Sequence, residues 1–466
     1  MKTKLLFLLI YGLLSTNVCS QNIISKPRVF VFTDMSNEPD DEESMVRFLV
    51  YSNEYDVEGL VANTSCWLKE RVREDLIRKQ LIAYAQVRDN LIKHADGFPE
   101  YKTLEAVTCS GQPSYGLAAT GKGKSTEGSR LLITSALKKD SRPLWVLLWG
   151  GANTLAQALK DAREEFTQTE FQKLISQLRV YSISDQDDAG PWIRKNFPKL
   201  FYIVDPSNPD FHSYYTATWN GIAGDRHNNT GVGYHFELVD NPWLEKNIIN
   251  GHGALGACYP QLAVQMEGDT PSFLGLINNG LGWTESPDFG GWGGRYKLYQ
   301  AYGETRPIWT SNKYSRDTFE YEAGKTHTSN DATIWRWRDH FQYDFAARMD
   351  WCIADSFDKA NHNPVAIING DTTKNVLYIK ANGKKRIHLS AKGSHDPDKN
   401  PIHIKWWIYP EAGSIKQALL TTNVGETTIV DLSQVTSTRG TLHIILQIND
   451  DGIPNLYAYR RIVITL

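Results

Sequence analysis

The chain predicts an α/β domain built on a mostly parallel sheet flanked by helices, followed by a smaller antiparallel β-sandwich. Three observations carry this expectation. The 466 residues exceed what one hydrophobic core usually serves. Short apolar runs alternate with helix-period segments through the first two thirds, the pattern of βαβ units with right-handed crossovers. Beyond Asn361-His362-Asn363-Pro364 the apolar period shortens to two, as half-buried strands require.

At the start, Lys2 and Lys4 precede the apolar stretch from Leu5 to Leu14, and Val18-Cys19-Ser20 places small residues where a signal peptidase cuts. Residues 1–20 are expected to be a cleaved secretory signal, making Gln21 the first residue of a secreted or periplasmic protein. A lipid on Cys19 is the lesser alternative, because Thr16-Asn17-Val18 lacks the usual Leu and small-residue pattern. No run of about 18 apolar residues occurs, so membrane insertion is not expected. With 50 Lys+Arg against 53 Asp+Glu and no long block of one sign, the chain lacks the charge footprint of a nucleic-acid binder. Cys66, Cys109, Cys258 and Cys352 are spaced too irregularly for a disulfide scaffold or zinc site and read as buried thiols.

Along the first domain, 21–360, the runs Val29–Phe32, Val57–Val61, Leu144–Leu148, Val180–Ile183 and Leu200–Val204 read as buried strands. Helices are expected at 41–52, 69–89, 127–139, 153–164 and 168–176. The stretch 205–330, rich in Gly, Asn, Trp and Tyr, reads as long ordered loops over the sheet's carboxyl end. In 361–466, Arg386–Ser390, Ile402–Trp407 and Leu442–Ile448 give the sandwich. Asp396-Pro397-Asp398 reads as an ordinary turn rather than a calcium site. With Gly393-Ser394-His395 before it and Asn449-Asp450-Asp451-Gly452 later, this domain resembles PKD and cadherin-like extracellular modules.

The first strand runs into Asp34-Met35-Ser36-Asn37-Glu38-Pro39-Asp40-Asp41-Glu42-Glu43. Acidic residues in a helix's first turn complement its partial positive charge, and one or two would need nothing more. Crowding Asp34 at a strand end against Asp40 and Asp41 at a helix start is costly unless a cation offsets it. With only hard oxygen donors nearby, calcium or magnesium is favoured over zinc.

These residues resemble the nucleoside hydrolase-like family, whose Asp-rich loop after the first strand holds calcium, ribose and the attacking water. The resemblance implies a metal-bound base at Asp34, a sugar-contacting carboxylate at Asp40 and a metal ligand at Asp41. Two more residues than usual separate Asp34 from Asp40, which brings Glu38 toward the substrate or metal. Leu148-Trp149-Gly150-Gly151-Ala152-Asn153 resembles the segment whose carbonyl, here that of Trp149, binds calcium. Met266-Glu267-Gly268-Asp269-Thr270-Pro271 resembles the segment supplying the remote ligand, Asp269, while the family's leaving-group His is replaced by Gly268. Together with Ser184-Asp185-Gln186-Asp187-Asp188, Gly251-His252-Gly253 and Gly290-Gly291-Trp292-Gly293-Gly294, these motifs resemble the exported, cellulose-binding-like branch designated DUF1593, over essentially the whole mature chain.

The expectation is thus an exported, calcium-dependent glycoside hydrolase-like enzyme acting on a carbohydrate. Breaking a glycosidic bond calls for a water, its base, and an acid for the leaving group. Asp187, His252 and Glu267 are the acid candidates. Glu38, Asp40 and Gln186 are expected to meet the sugar's hydroxyls, and the loop rings Trp219, Trp283 and Trp292 are candidates to stack on it. The alternative is a non-catalytic carbohydrate-binding protein on the same fold.

Overall fold

The computed structural model describes residues 26–36, 38–206, 222–227, 233–263 and 265–466; the expected leader and Trp219 lie outside them. The first domain supplies β1 (Arg28–Thr33), α1 (Asp40–Val50), β2 (Asp56–Ala62), α2 (Glu74–His94), α3 (Tyr101–Glu105), β3 (Thr108–Ser110), α4 (Glu127–Ala136), β4 (Leu144–Leu148), α5 (Asn153–Glu165), α6 (Gln168–Gln177), β5 (Leu178–Ser182), α7 (Ala189–Asn196) and β6 (Phe201–Ile203). Short turns α8 (Gly224–His227), α9 (Asn241–Leu244), α10 (Gly253–Gly256) and α11 (Pro271–Leu274) follow. Then come β7 (Lys297–Tyr299), β8 (Ile308–Thr310), the hairpin β9 (Asp317–Glu322) and β10 (Lys325–Ser329), α12 (Ala332–Trp335) and α13 (Arg338–Trp351).

Eight strands form one sheet in the order β3-β2-β1-β4-β5-β6-β8-β7, parallel except for β7. Alternation along each strand sends side chains to two cores, because successive residues point to opposite faces. Val29, Val31, Leu60 and Leu147 face α1, α2 and α13, whereas Phe30, Phe32, Val61 and Val146 face α4 to α7. The result is the three-layer architecture expected from βαβ alternation.

The sequence missed several elements. β3, β7 and β8 have three residues each, too few for a period to register. Within 205–330, where loops were expected, β8 instead extends the sheet parallel to β6. α13 was missed because its buried faces carry Arg338, Gln342, Asp344 and Arg348, which interrupt any apolar stripe.

The second domain contains β11 (Leu377–Lys380), β12 (Arg386–Ser390), β13 (Ile402–Ile408), β14 (Leu419–Leu420), β15 (Thr427–Asp431), β16 (Thr441–Asp450) and β17 (Tyr457–Thr465). They form a four-stranded sheet, β11-β17-β16-β13, and a three-stranded sheet, β12-β15-β14, antiparallel except for β11 against β17. Asp396 Oδ1 accepts the amides of Asp398 and Asn400, so that acidic pair forms a turn as expected.

This domain is docked on the first. The amides of Tyr459 and Arg461 donate to the carbonyls of Asn279 and Gly280, extending strand pairing across the seam. A side chain at Gly280 would place its Cβ 1.8 Å from the Tyr459 carbonyl, so glycine is required there. Tyr409, Ile445 and Tyr459 belong to the same buried cluster as α1 and α13. His94 of α2 bonds His362 ring to ring at 3.1 Å, and His362 in turn bonds Asp398.

Trp292 is part of this seam rather than a sugar platform. It is 2% exposed, donates Nε1 to Tyr459 and packs edge-on against Phe341. Trp283, also buried, stacks on Tyr181 and donates to the Gly294 carbonyl. Gly275 passes close to the Trp283 ring, where a Cβ would lie 2.6 Å from it. We therefore expect Trp292→Ala to lower the unfolding free energy by about 3–5 kcal/mol in urea titration. A loss under about 1 kcal/mol would show that the ring is not core.

Candidate functional site

The strand order reverses direction at β1: β2 and β3 lie to one side, and β4, β5 and β6 to the other. In open parallel sheets the crevice for ligands lies outside the carboxyl ends at such a reversal. Asp34 follows β1 and Trp149 follows β4, with Phe32 and Leu148 in register just before them. α1 opens at Asp40, which puts Asp40 and Asp41 in its first turn over the same end. Asp269 arrives from far along the chain, just before α11. A small cavity is lined by the carboxylates of Asp34, Glu38, Asp40, Asp41 and Asp269. Trp67, Trp149 and Gln186 complete its wall.

Asp40, Asp41 and Asp269 are the tightest group, each offering an oxygen within 4.8 Å of the others. Asp34, expected among the metal ligands, lines the same cavity, and Ser65 Oγ donates to its Oδ2. That hydroxyl also accepts the amides of Trp67 and Leu68 at 2.9 and 3.1 Å, so its proton is committed to Asp34. Asp34 Oδ1 and Asp269 Oδ2 are buried without a hydrogen-bond partner among the described residues. Gly150 makes room for the first of these, since a Cβ there would lie 2.5 Å from Oδ1. The Trp149 carbonyl accepts Gln186 Nε2 at 2.5 Å.

Burial, followed by repulsion among neighbours, drives these acids upward. Asp34 is pushed up to about 7 despite the Ser65 hydrogen bond, and Asp40 to about 8 with Glu38 and Asp34 beside it. Asp41 and Asp269 rise well above the usual carboxylate range for the same reasons. No Lys, Arg or His is among the described residues lining the cavity. An all-oxygen, anionic donor set with unpartnered buried oxygens fits a hard divalent cation such as calcium.

The three acid candidates are elsewhere. Asp187 accepts the amides of Asn153 and Ala189 at 3.0 and 2.9 Å, so both oxygens anchor the starts of α5 and α7. Glu267 is fully buried against Arg47 and accepts Tyr259 Oη at 2.8 Å and Thr270 Oγ1 at 2.7 Å. His252 bonds Asp350 at 3.2 Å, and its neighbour Gly253 packs against Val87 and Ile353. The glycines around His252 serve a turn, with positive φ at Gly251 and Gly253. None of the three lines the cavity.

Sequence reasoning missed the residues that hold the site together. Ser65 and Trp67 follow β2, the strand beside β1, and strand-end position was the available signal. Arg47 carried none. From α1 it bonds Glu267 at 3.0 Å, the Phe341 carbonyl at 3.0 Å and Gln342 at 2.5 Å, fixing the 267–270 segment under α1.

A three-layer α/β domain with carboxylates gathered at its sheet's reversal point is the arrangement of a nucleoside hydrolase-like fold, and the comparisons show that fold. One solved structure, of a nucleoside hydrolase-related hypothetical protein from Saccharophagus degradans associated with carbohydrate metabolism, is 36% identical with a TM-score of 0.81, covering 94% of this chain and 99% of that one. The chain belongs to the cellulose-binding Sde182 family: residues 28–296 match its nucleoside hydrolase-like domain, and residues 386–466 match the C-terminal domain of cellulose-binding protein Sde0182. Two effector proteins, XOO4466 and XopQ complexed with adenosine diphosphate ribose, are 11% and 10% identical over 61% and 71% of this chain and 87% and 94% of theirs. Their TM-scores of 0.23 and 0.26 support no comparison of sites. No curated protein matches.

Two substitutions separate scaffold from site. Asp187→Asn is expected to cost about 2 kcal/mol of stability, because an amide cannot accept both backbone N–H groups. Glu267→Ala strands the buried Arg47 charge and is expected to cost about 3–5 kcal/mol. Chemical denaturation measures both, and near-parental stability in either variant would contradict the assignment.

Proposed function

We propose that this chain is an exported, calcium-dependent hydrolase that cleaves a glycosidic bond in a carbohydrate. The observation that carries the reading is Asp34: a buried carboxylate at the sheet's reversal point, held by Ser65 on one oxygen and unpartnered on the other. Simple ligand binding does not call for a carboxylate so placed, whereas a base for water does. The family's cellulose-binding description and the carbohydrate association of the Saccharophagus degradans relative support a sugar as substrate. The charged and apolar pattern of residues 1–20 supports export.

Asp40, Asp41 and Asp269 would hold calcium, with Asp34 and the Trp149 carbonyl bordering the same cavity. When bound, the ion supplies charge neutralisation and Lewis acidity to that cavity. Asp34 Oδ1 takes a proton from water as the water oxygen bonds to the anomeric carbon. The glycosidic C–O bond breaks, its electron pair stays on the departing oxygen, and that oxygen takes a proton from a second carboxyl group. With Asp187, His252 and Glu267 engaged elsewhere, Glu38 is the residue for that role. It is half-buried at the cavity wall beside Asp34 and Asp40.

The same displacement of the acid candidates favours a second reading, a carbohydrate-binding protein without turnover. A screen of cello-oligosaccharides, other glycans and nucleosides with added calcium separates the two. Hydrolysis of any glycosidic substrate supports the first, and calcium-dependent binding without products supports the second.

Calcium is expected to raise the parent's melting temperature, and Asp269→Asn to remove that rise, because a ligand bound only to the folded state stabilises it. Unchanged melting across millimolar calcium and chelator would contradict a metal site. In kinetics, Asp34→Asn should lower kcat by at least a thousandfold with sugar binding retained, whereas Asp40→Ala should weaken binding too. Metal content is measured beside the rates, so that loss of the ion is not mistaken for loss of the base. Turnover within tenfold of the parent, about 1.4 kcal/mol in barrier, would remove Asp34 from the role.

A further inference from the structure

We infer that the seam between the two domains is a second carbohydrate site, a groove that holds a linear, uncharged polysaccharide chain away from the carboxylates. The inference rests on the carbohydrate reading above for the class of ligand and adds a place that reading does not call for. Three cavities follow the seam, of about 650, 310 and 630 Å³. Asn53, Glu54, Asn278 and Lys374 line both the first and the second, and Phe357 and Pro397 line both the second and the third, so the three adjoin in series. Ligand sites favour domain interfaces, and a series of adjoining hollows suits an extended ligand better than a compact one. Lys26 and Pro27 lead into β1, and Asn53 and Glu54 lead into β2, so the groove starts at the amino end of the sheet, whereas Asp34 follows the carboxyl end of β1. The six residues of β1 therefore set the groove and the carboxylate cavity about 20 Å apart.

The lining fits such a chain. Uncharged sugars present hydroxyls that both donate and accept, with C–H groups on the ring faces. Asn278 from the first domain and Asn375 from the second supply amides that do both, and Thr284 adds a hydroxyl. Lys26 and Lys374 stand among Asp96 and Glu285 at one end, and Lys399 stands with Asp451 at the other, so no stretch of one sign selects a polyanion or a basic peptide. Phe357 supplies the apolar surface. It is 41% exposed, lines two of the cavities and is stacked on the His362 ring with 3.6 Å between centroids. His362 is held in turn by Asp398 and His94, so Phe357 rests on a fixed backing, and less ordering is needed when a ligand packs on it. A polymer held here raises the local concentration of its own segments around the carboxylate cavity.

The test is calorimetric titration of the full chain with cellobiose and cellohexaose, in the parent, in the double variant Asn278→Ala/Lys374→Ala, in Phe357→Leu and in Asp40→Ala, with melting temperature as the check on folding. The expected result is that the parent binds cellohexaose at least tenfold more tightly than cellobiose, because only the longer chain spans adjoining cavities. Both groove variants should weaken cellohexaose binding at least tenfold, and Asp40→Ala should keep the length dependence, since it alters only the distant cavity. Should Phe357→Leu melt early, the double variant decides, because Lys374 is exposed and Asn278 half-buried. Parental cellohexaose affinity in the double variant overturns the inference, and so does equal affinity for the two oligosaccharides in the parent. Loss of the length dependence in Asp40→Ala alone places the chain at the carboxylates, which overturns the groove and leaves the proposed function standing. Failure of the parent to bind cellohexaose also overturns the groove, while the calcium-dependent melting and the hydrolysis screen still judge the proposed function separately.

Discussion

The buried pair between Arg47 and Glu267 is the contact on which the site depends. Arg47 extends from α1, the helix that carries Asp40 and Asp41, and Glu267 lies two residues before Asp269. Together with the Glu267 amide on Glu43 and Thr270 on Ser44, this tie brings a carboxylate from more than 200 residues away over the start of α1. The pair is fully buried and completed by Gln342, Tyr259 and Thr270, so its charges are compensated by hydrogen bonds as well as by each other. Such pairs add little net stability relative to an apolar replacement, but removing one partner is costly. Its contribution here is position rather than stability.

What it positions is a concentration of negative charge that the fold alone does not compensate. Asp34, Asp40, Asp41 and Asp269 are each raised first by burial and then by neighbouring carboxylates, Asp269 by Asp41, Asp40 and Asp34 and Asp34 by Glu38 and Glu42. The surrounding structure over-determines them: Thr33 bonds Asp41, Ser65 bonds Asp34, and the Ser272 hydroxyl bonds the Asp269 carbonyl. A rigid, under-neutralised oxygen cluster at a sheet's reversal point is the arrangement that a hard cation and a polyhydroxylated ligand both match.

The second domain is joined to the first more closely than a tethered module would be. β17 pairs with Asn279 and Gly280, Arg461 donates to the carbonyls of Leu281 and Gly290, and Tyr409 reaches Asp317. The segment it grips, 279–292, directly follows the one that carries Asp269 and α11. The sandwich therefore braces the chain beyond Asp269, and Tyr409, Tyr457 and Tyr459 pack into that seam.

Local residues determined much of this protein. Alternation of apolar runs with helical periods set the strands β1, β2, β4, β5 and β6 and most of the helices between them, because period and burial are written within each segment. Asp34, Asp40 and Asp41 were legible for the same reason: a strand end and a helix start adjoin in sequence as well as in space. Asp269 was reached only through resemblance. Which carboxylate stays available and which is consumed could not be read, since the partners of Asp187 and Glu267 come from Asn153 and Arg47, distant in the chain. Likewise a loop tryptophan looks the same in sequence whether it lines the cavity, as Trp67 does, or fills a seam, as Trp292 does. Tertiary structure decided these cases, because availability is a matter of what else fills the space around a side chain, and that space is shaped by segments the local sequence does not contain.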